Sequence, residues 1–162
     1  MAILEIKKFG DPVLRQKSSE VRKIDKRKKK LIVDMVQTME KKDGIGLAAP
    51  QVGVLKRIIV VGAEAGGDRV LVLINPKITK KSQETEILEE GCLSFPGIFL
   101  EIKRAKEIEA EGLDINGEKK TIEAKGVLAR VLQHEIDHLD GILFFDYLSF
   151  WKKWKIRKKL KT

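Results

Sequence analysis

Residues 125–141 read KGVLARVLQHEIDHLDG, and the period of this stretch decides the architecture around it. Its apolar residues recur at helical spacing, and Gly141 supplies a stop, because glycine accepts the left-handed conformation at a helix C-terminus. Arg130, Gln133 and Asp137 form only a narrow polar strip, while Val127, Val131, His134 and His138 share another face. A helix with so little polar surface is expected to be buried. His134 and His138 lie four apart, so both imidazoles stand on one face with Glu135 beside them. This HExxH spacing is one that a helix uses to grip a metal ion and place a base next to it.

Working outward, Asp25 can cap a helix running to about Lys41, with Ile32, Met35, Val36 and Met39 on one stripe. Between residues 47 and 124 the apolar runs are short and β-branched, as in RIIVV and RVLVLI. Turn signals at GAEAGGD, NP and DINGE separate them, so they read as antiparallel strands and hairpins. The expected fold class is α+β: antiparallel β-sheets packed around a central buried HExxH helix, with an N-terminal helix and a C-terminal helix. No repeat, linker or low-complexity segment divides the chain. Residues 1–162 are therefore expected to form a single catalytic domain, with 147–162 as a basic C-terminal helix.

Composition narrows the function classes. With 43% hydrophobic and 35% charged residues, the chain reads as soluble and globular. No apolar run approaches the roughly 18 residues of a membrane span, and the opening MAILEIKKFGDP meets charge before a signal-peptide core could form. A cytoplasmic location with no membrane partner is expected. The single cysteine, Cys92, cannot form an internal disulfide, which agrees with a reducing compartment. The net charge of +9 is concentrated at the end: Tyr147 to Thr162 carries seven Lys or Arg and no acid, leaving +2 on the body. No DNA partner is expected from so neutral a body.

Two histidines do not complete a catalytic metal site, which usually takes three protein ligands and leaves one position for water. Many HExxH proteases find the third downstream, but no Glu follows Glu135 here, and Phe144 stands where HExxHxxGxxH requires His. Asp140 lies on a different helix face from His138, and Asp146 fits no ligand pattern. Both histidines are already used, so the remaining soft ligand is Cys92, in EGCLS at 90–94.

Three segments, GIGLAAPQ (44–51), EGCLS (90–94) and QHEIDHLDG (133–141), match the motifs of the peptide deformylase family without a gap, in that family's order. The resemblance extends from FGDPVLR at 9–15 to DYLS at 146–149. It implies an enzyme that removes the formyl group from the initiator methionine of new polypeptides, with formyl-methionyl peptides as substrate. The residues themselves suit amide hydrolysis. Cys92, His134 and His138 would hold one divalent metal, and Glu135 would act as the base that later protonates the leaving amine. A thiolate ligand favours iron(II), zinc, nickel or cobalt over magnesium or calcium, and the resemblance points to Fe2+ as the native ion. A metalloendopeptidase is the alternative, lacking its usual third ligand.

The resemblance also assigns oxyanion stabilisation to the Gln51 side chain and the Leu93 backbone N–H, and pairs Glu90 with Arg104 as support for the Cys92 loop. Gly46 would let the chain approach the site closely, and Ile45, Gly46, Gly91 and Val131 are the candidate substrate-binding residues, Val131 on helix geometry alone. GIGLAA also fits a loose dinucleotide fingerprint, but it follows a helix instead of a strand, and Pro50 stands where the next helix should propagate. An exposed edge in FPGIFLEI, 95–102, could pair with a peptide by strand addition. In the tail, Tyr147, Phe150, Trp151 and Trp154 make one helical stripe expected to pack on the body, with Ile156 and Leu160 on the opposite side. The resemblance implies that the basic outer half docks on the ribosome.

Overall fold

The computed structural model describes residues 2–161. The first long helix, α1 (Lys26–Lys41), begins where the Asp25 side chain accepts from the Lys28 N–H at 3.0 Å. That bond satisfies one of the donors a helix N-terminus leaves free. The strands are β1 (Gly46–Ala48), β2 (Ile58–Val61), β3 (Leu71–Lys81), β4 (Thr85–Gly91), β5 (Phe99–Ala105), β6 (Glu107–Leu113) and β7 (Lys119–Lys125). They are followed by α2 (Gly126–Leu139) and α3 (Phe150–Leu160). All pairings within the sheets are antiparallel: a five-stranded sheet in the order β1-β2-β3-β6-β7, and a separate β4-β5 ribbon.

Strand alternation places the two long helices on opposite faces of the larger sheet. Leu47, Ile58, Val60 and Ile74 point toward Ile32, Met35 and Met39 of α1. Ala48, Ile59, Val61 and Leu73 point toward Leu132, Ile136 and Leu139 of α2. Because both faces are covered, β2 is apolar throughout instead of alternating. The other side of α2 meets the ribbon. Arg130 Nη1 donates to the Ile102 carbonyl at 2.7 Å, and the Gln133 amide exchanges hydrogen bonds with the Ala105 backbone at 2.9 and 3.2 Å. The polar strip of this helix is thus a buried seam, whereas Val127, in its first turn, is exposed.

The expectation of sheets arranged around a central HExxH helix requires correction. The α+β class, antiparallel sheets and terminal helices are present, but the metal-competent group is Cys92 with His134 and His138, not a site made by one helix. A helix face presents two imidazoles at i, i+4, and the third donor has to come from another element. Here it comes from the turn that ends β4.

One local expectation also changes. Asn75-Pro76 is no turn; β3 runs through it, with register shifts against β6 between Ile74 and Lys77. Proline has no N–H to lose at such a bulge, and Asn75 takes the left-handed conformation at φ 54° while its side chain bonds the Val21 N–H and carbonyl. Gly141 does stop α2, at φ 72°, and it also lies so close to the Arg15 carbonyl that a Cβ would stand 2.6 Å from the oxygen.

The C-terminal helix is turned the other way from its expected orientation. Ile156 and Leu160 pack toward Leu14, Phe95, Phe144 and Phe145, while Trp151 is 72% exposed and Phe150 and Trp154 also face solvent. The Phe145 ring decides this orientation, since it meets the helix and receives the Arg157 guanidinium at 5.1 Å. Ile156→Ala should therefore lower unfolding free energy by about 1 kcal/mol, less than a full core truncation, and Trp151→Ala by under about 0.5 kcal/mol. Urea denaturation of the two variants checks the order.

Candidate metal centre

The elements converge where β4 ends against the middle of α2. Cys92 Sγ lies 3.5 Å from His138 Nε2, which lies 3.3 Å from His134 Nε2. The three possible donor atoms fall within 4.8 Å of one another. His134 Nδ1–H donates to Glu90 Oε1 at 2.8 Å, and this bond fixes the imidazole with Nε2 directed at the other two donors. The His138 Nδ1 and Glu135 Oε2 atoms are buried without a hydrogen-bond partner. A thiol sulfur and two facing imidazole nitrogens fit a divalent cation of the softer kind.

Electrostatics agree with a site built to receive positive charge. Burial pulls the His134 imidazole down, but hydrogen bonds to Cys92 and Glu90 overcome it and raise its pKa to about 10. Burial and the neighbouring His134 charge hold His138 well below the ordinary range. Burial pushes the Glu135 carboxyl up to about 7, only partly opposed by His134. Glu90 behaves oppositely: burial would raise it, yet its bonds to His134 and Arg104 lower it to about 2.

Glu90 is held by more than the single partner expected. Arg104 donates to it through Nε at 2.6 Å and Nη2 at 3.0 Å, and Arg130 Nη1 adds a third bond at 2.6 Å. Arg104 Nη1 also reaches Asp137 Oδ2 at 2.9 Å, and the Tyr147 hydroxyl donates to the same oxygen at 2.6 Å. Neither Arg130 nor the Glu90–His134 bond was expected. The available signal was spacing: Arg130 is one turn before His134, and an arginine inside a buried helix requires an acid. Asp146 and Asp140 lie outside the centre, paired with Arg15 at 2.7 Å and Arg57 at 3.0 Å.

A cleft of about 490 Å³ opens beside the centre, and its lining includes Ile45, Gly46, Gln51, Gly91, Cys92, Leu93 and Glu135. Gln51 is clamped: Oε1 accepts from the Ala48 N–H at 3.0 Å, while Nε2 points at Ser94 Oγ, 3.2 Å away, and Cys92 Sγ, 3.5 Å away. Gly46 is required by proximity. A Cβ there would stand 2.7 Å from Glu135 Oε1 and 2.8 Å from Val131 Cγ1, so only glycine lets β1 pass this close to α2. Val131 is buried behind Gly46 in the core, not on the cleft lining, and Ile45 is 44% exposed at the rim. Within GIGLAA, Gly46–Ala48 form the edge strand β1, which leads into a 3-10 turn at Ala49–Val52, not a nucleotide-binding helix.

The family model for polypeptide deformylase matches residues 3–154. The chain belongs to the polypeptide deformylase family. A peptide deformylase of Thermodesulfovibrio yellowstonii is 54% identical, covering 100% of this chain and 99% of its own length. Crystal structures of peptide deformylases from Legionella pneumophila and Thermotoga maritima superpose with TM-scores of 0.93 and 0.87 at 39% and 47% identity. The first covers 98% of this chain and 94% of its own, the second 91% and 98%. This deformylase is accordingly an enzyme, a hydrolase that removes the formyl group from N-formylmethionine. The metalloendopeptidase alternative finds no support among these matches. Glu90→Gln in this deformylase should cost roughly 3 kcal/mol of stability, because the buried Arg130 guanidinium loses its carboxylate and Arg104 is left with Asp137 alone. It should also weaken metal binding by about tenfold or more through loss of the His134 orienter. Urea titration and a metal-chelator competition measure the two effects separately.

Proposed function

We propose that residues 1–162 work as one catalytic domain in which Cys92, His134 and His138 hold a single divalent ion. The observation that carries this reading is the convergence of three donor atoms within 4.8 Å, from segments more than forty residues apart, next to an unpartnered carboxylate oxygen. A bound divalent ion supplies Lewis acidity, which polarises the formyl group and acidifies water. Iron(II) is the proposed native ion. A half-buried thiolate with two imidazoles suits it, and zinc, nickel or cobalt would fit the same donors.

The remaining steps fall to this chain's own groups. Glu135 Oε2, free of other bonds and with its carboxyl raised to about 7, takes the proton of the attacking water and returns it to the departing amine. Gln51 Nε2, held in place from its other end, and the Leu93 N–H donate to the developing oxyanion. The methionine side chain enters the cleft. Ile45 and Gly91 border it, Gly46 permits the close approach, and Val131 supports the wall from behind. Strand β1 is the outer strand of its sheet, so the outward-facing backbone of Gly46 can pair with an extended peptide, while Phe99 at the start of β5 lines the same cleft.

Glu135→Gln should retain metal, since Glu135 contributes no ligand, and lose at least ~10²-fold in turnover, the usual scale of a general base. Cys92→Ala should lose most of the metal. Protein prepared without oxygen, analysed for metal and assayed for formate release from formyl-Met-Ala-Ser, tests both statements; metal loss in Glu135→Gln would sink the division of roles.

A cytoplasmic workplace is proposed from the lone thiol Cys92, which a reducing compartment would protect. Among the described residues no helix is long and apolar enough to cross a membrane. Ribosome docking is proposed for the basic end, where Lys152 and Lys155 stand exposed on α3. Since Ile156 and Leu160 pack on the body, charge reversal tests this more cleanly than truncation. Lys152→Glu/Lys155→Glu should bind ribosomes more weakly, with a log–log salt slope shallower by roughly one for each phosphate that is no longer neutralised. Equal sedimentation with ribosomes across a salt series would exclude this role.

A further inference from the structure

Phe99 is out of place for its residue type. Phe95, Phe144 and Phe145 are buried, whereas Phe99 is 65% exposed although it belongs to a regular strand. It is not loose at the surface. Phe99 is the cross-strand partner of Gly91, and its ring lies against that residue so closely that a Cβ on Gly91 would stand 2.9 Å from Cε1 and 3.1 Å from Cδ1. An aromatic ring seated on a cross-strand glycine is a recognised way of covering bare backbone. The ring therefore has its Cδ1–Cε1 edge held against the backbone beside Cys92 and the rest turned to solvent. It lines the same cleft as Cys92, Gln51 and Glu135, with Ile45 as a second exposed apolar side chain on that cleft, carried by the loop leading into β1.

Resting on the reading of this cleft as the formyl-methionine site, we propose that Phe99 selects the second residue of the substrate, acting as an apolar platform that favours large aliphatic and aromatic side chains there. In an extended peptide successive side chains point to opposite sides. If the methionine side chain enters the cleft, that of the next residue points outward to the rim, where Phe99 and Ile45 stand. The charged groups on that lining oppose one another, with Lys8 and Lys42 against Asp43 and Glu135, and Lys8 Nζ is engaged with the Leu93 carbonyl at 3.5 Å. Contact with the ring, not net charge, is then the stronger discriminator. A partly solvated platform discriminates less than an enclosed pocket, so about fivefold is expected where a closed site would give tenfold or more.

The test is kcat/KM for formate release by the iron-loaded, full-length enzyme on formyl-Met-X-Ser, with X as Phe, Leu, Ala or Asp. The wild type should prefer Phe and Leu over Ala by about fivefold, mostly through KM, because the contact is made equally in ground and transition states. Phe99→Ala should reduce that ratio below about twofold, and Phe99→Trp should preserve it. Metal content and near-ultraviolet circular dichroism of each variant establish that the centre and fold are intact. An undiminished Phe-to-Ala ratio in Phe99→Ala would overturn the assignment, as would a preference for Asp in the wild type. A change confined to the third residue, in formyl-Met-Ala-X peptides, would overturn the placement at the second. Failure to release formate from any of the peptides would overturn the reading of the cleft itself, whereas release with a flat second-residue profile would overturn only the part assigned to Phe99.

Discussion

The Glu90 carboxylate accepts four hydrogen bonds inside the protein, two from Arg104, one from Arg130 and one from His134. Each of these ions would be costly to bury alone, and together they are tolerable because the geometry leaves few charges unmatched. The consequence reaches past stability. Arg104 belongs to β5, Arg130 and His134 to α2, and Glu90 to the end of β4, so one carboxylate ties the ribbon to the helix. Cys92 follows two residues later, and His134 is gripped directly. The same interaction thus sets the distance between the thiol and the two imidazoles, and it selects the His134 tautomer that turns Nε2 toward them.

The larger sheet contributes by getting out of the way. At Gly46 the edge strand passes within a side chain's width of Glu135 and Val131, which leaves the Glu135 carboxylate enclosed but its Oε2 unpartnered. Enclosure is what raises its affinity for a proton toward neutrality. Gln51 is positioned from the same segment, one turn further along, by a bond back to Ala48. The centre therefore sits between two sheets that do not pair with each other, and the open space between them is the cleft.

The end of the chain shows how packing chooses between two faces that composition alone leaves equivalent. Both the aromatic stripe and the Ile156–Leu160 pair have helical spacing. The cluster around Phe95, Phe144 and Phe145 admits the slimmer pair, with the Arg157 guanidinium over the Phe145 ring, and the indoles are left outside, Trp154 beside Lys158.

The local elements were legible because their causes are local. The Asp25 cap, the stripe of α1, the β-branched run of β2 and the i, i+4 pair of histidines are determined by neighbours along the chain. Elimination among so few soft ligands also reached Cys92 without any fold. Other features depend on residues far apart in sequence. The burial of Arg130 against Glu90, the passage of Gly46 beside Glu135 and the Phe99 ring over Gly91 each require two segments to meet at a particular distance. So do the bulge that carries β3 through Asn75-Pro76 and the orientation of α3. Periodicity records which residues share a face, but only tertiary packing determines what that face meets, because the competing faces differ in shape complementarity and charge and not in hydrophobic pattern.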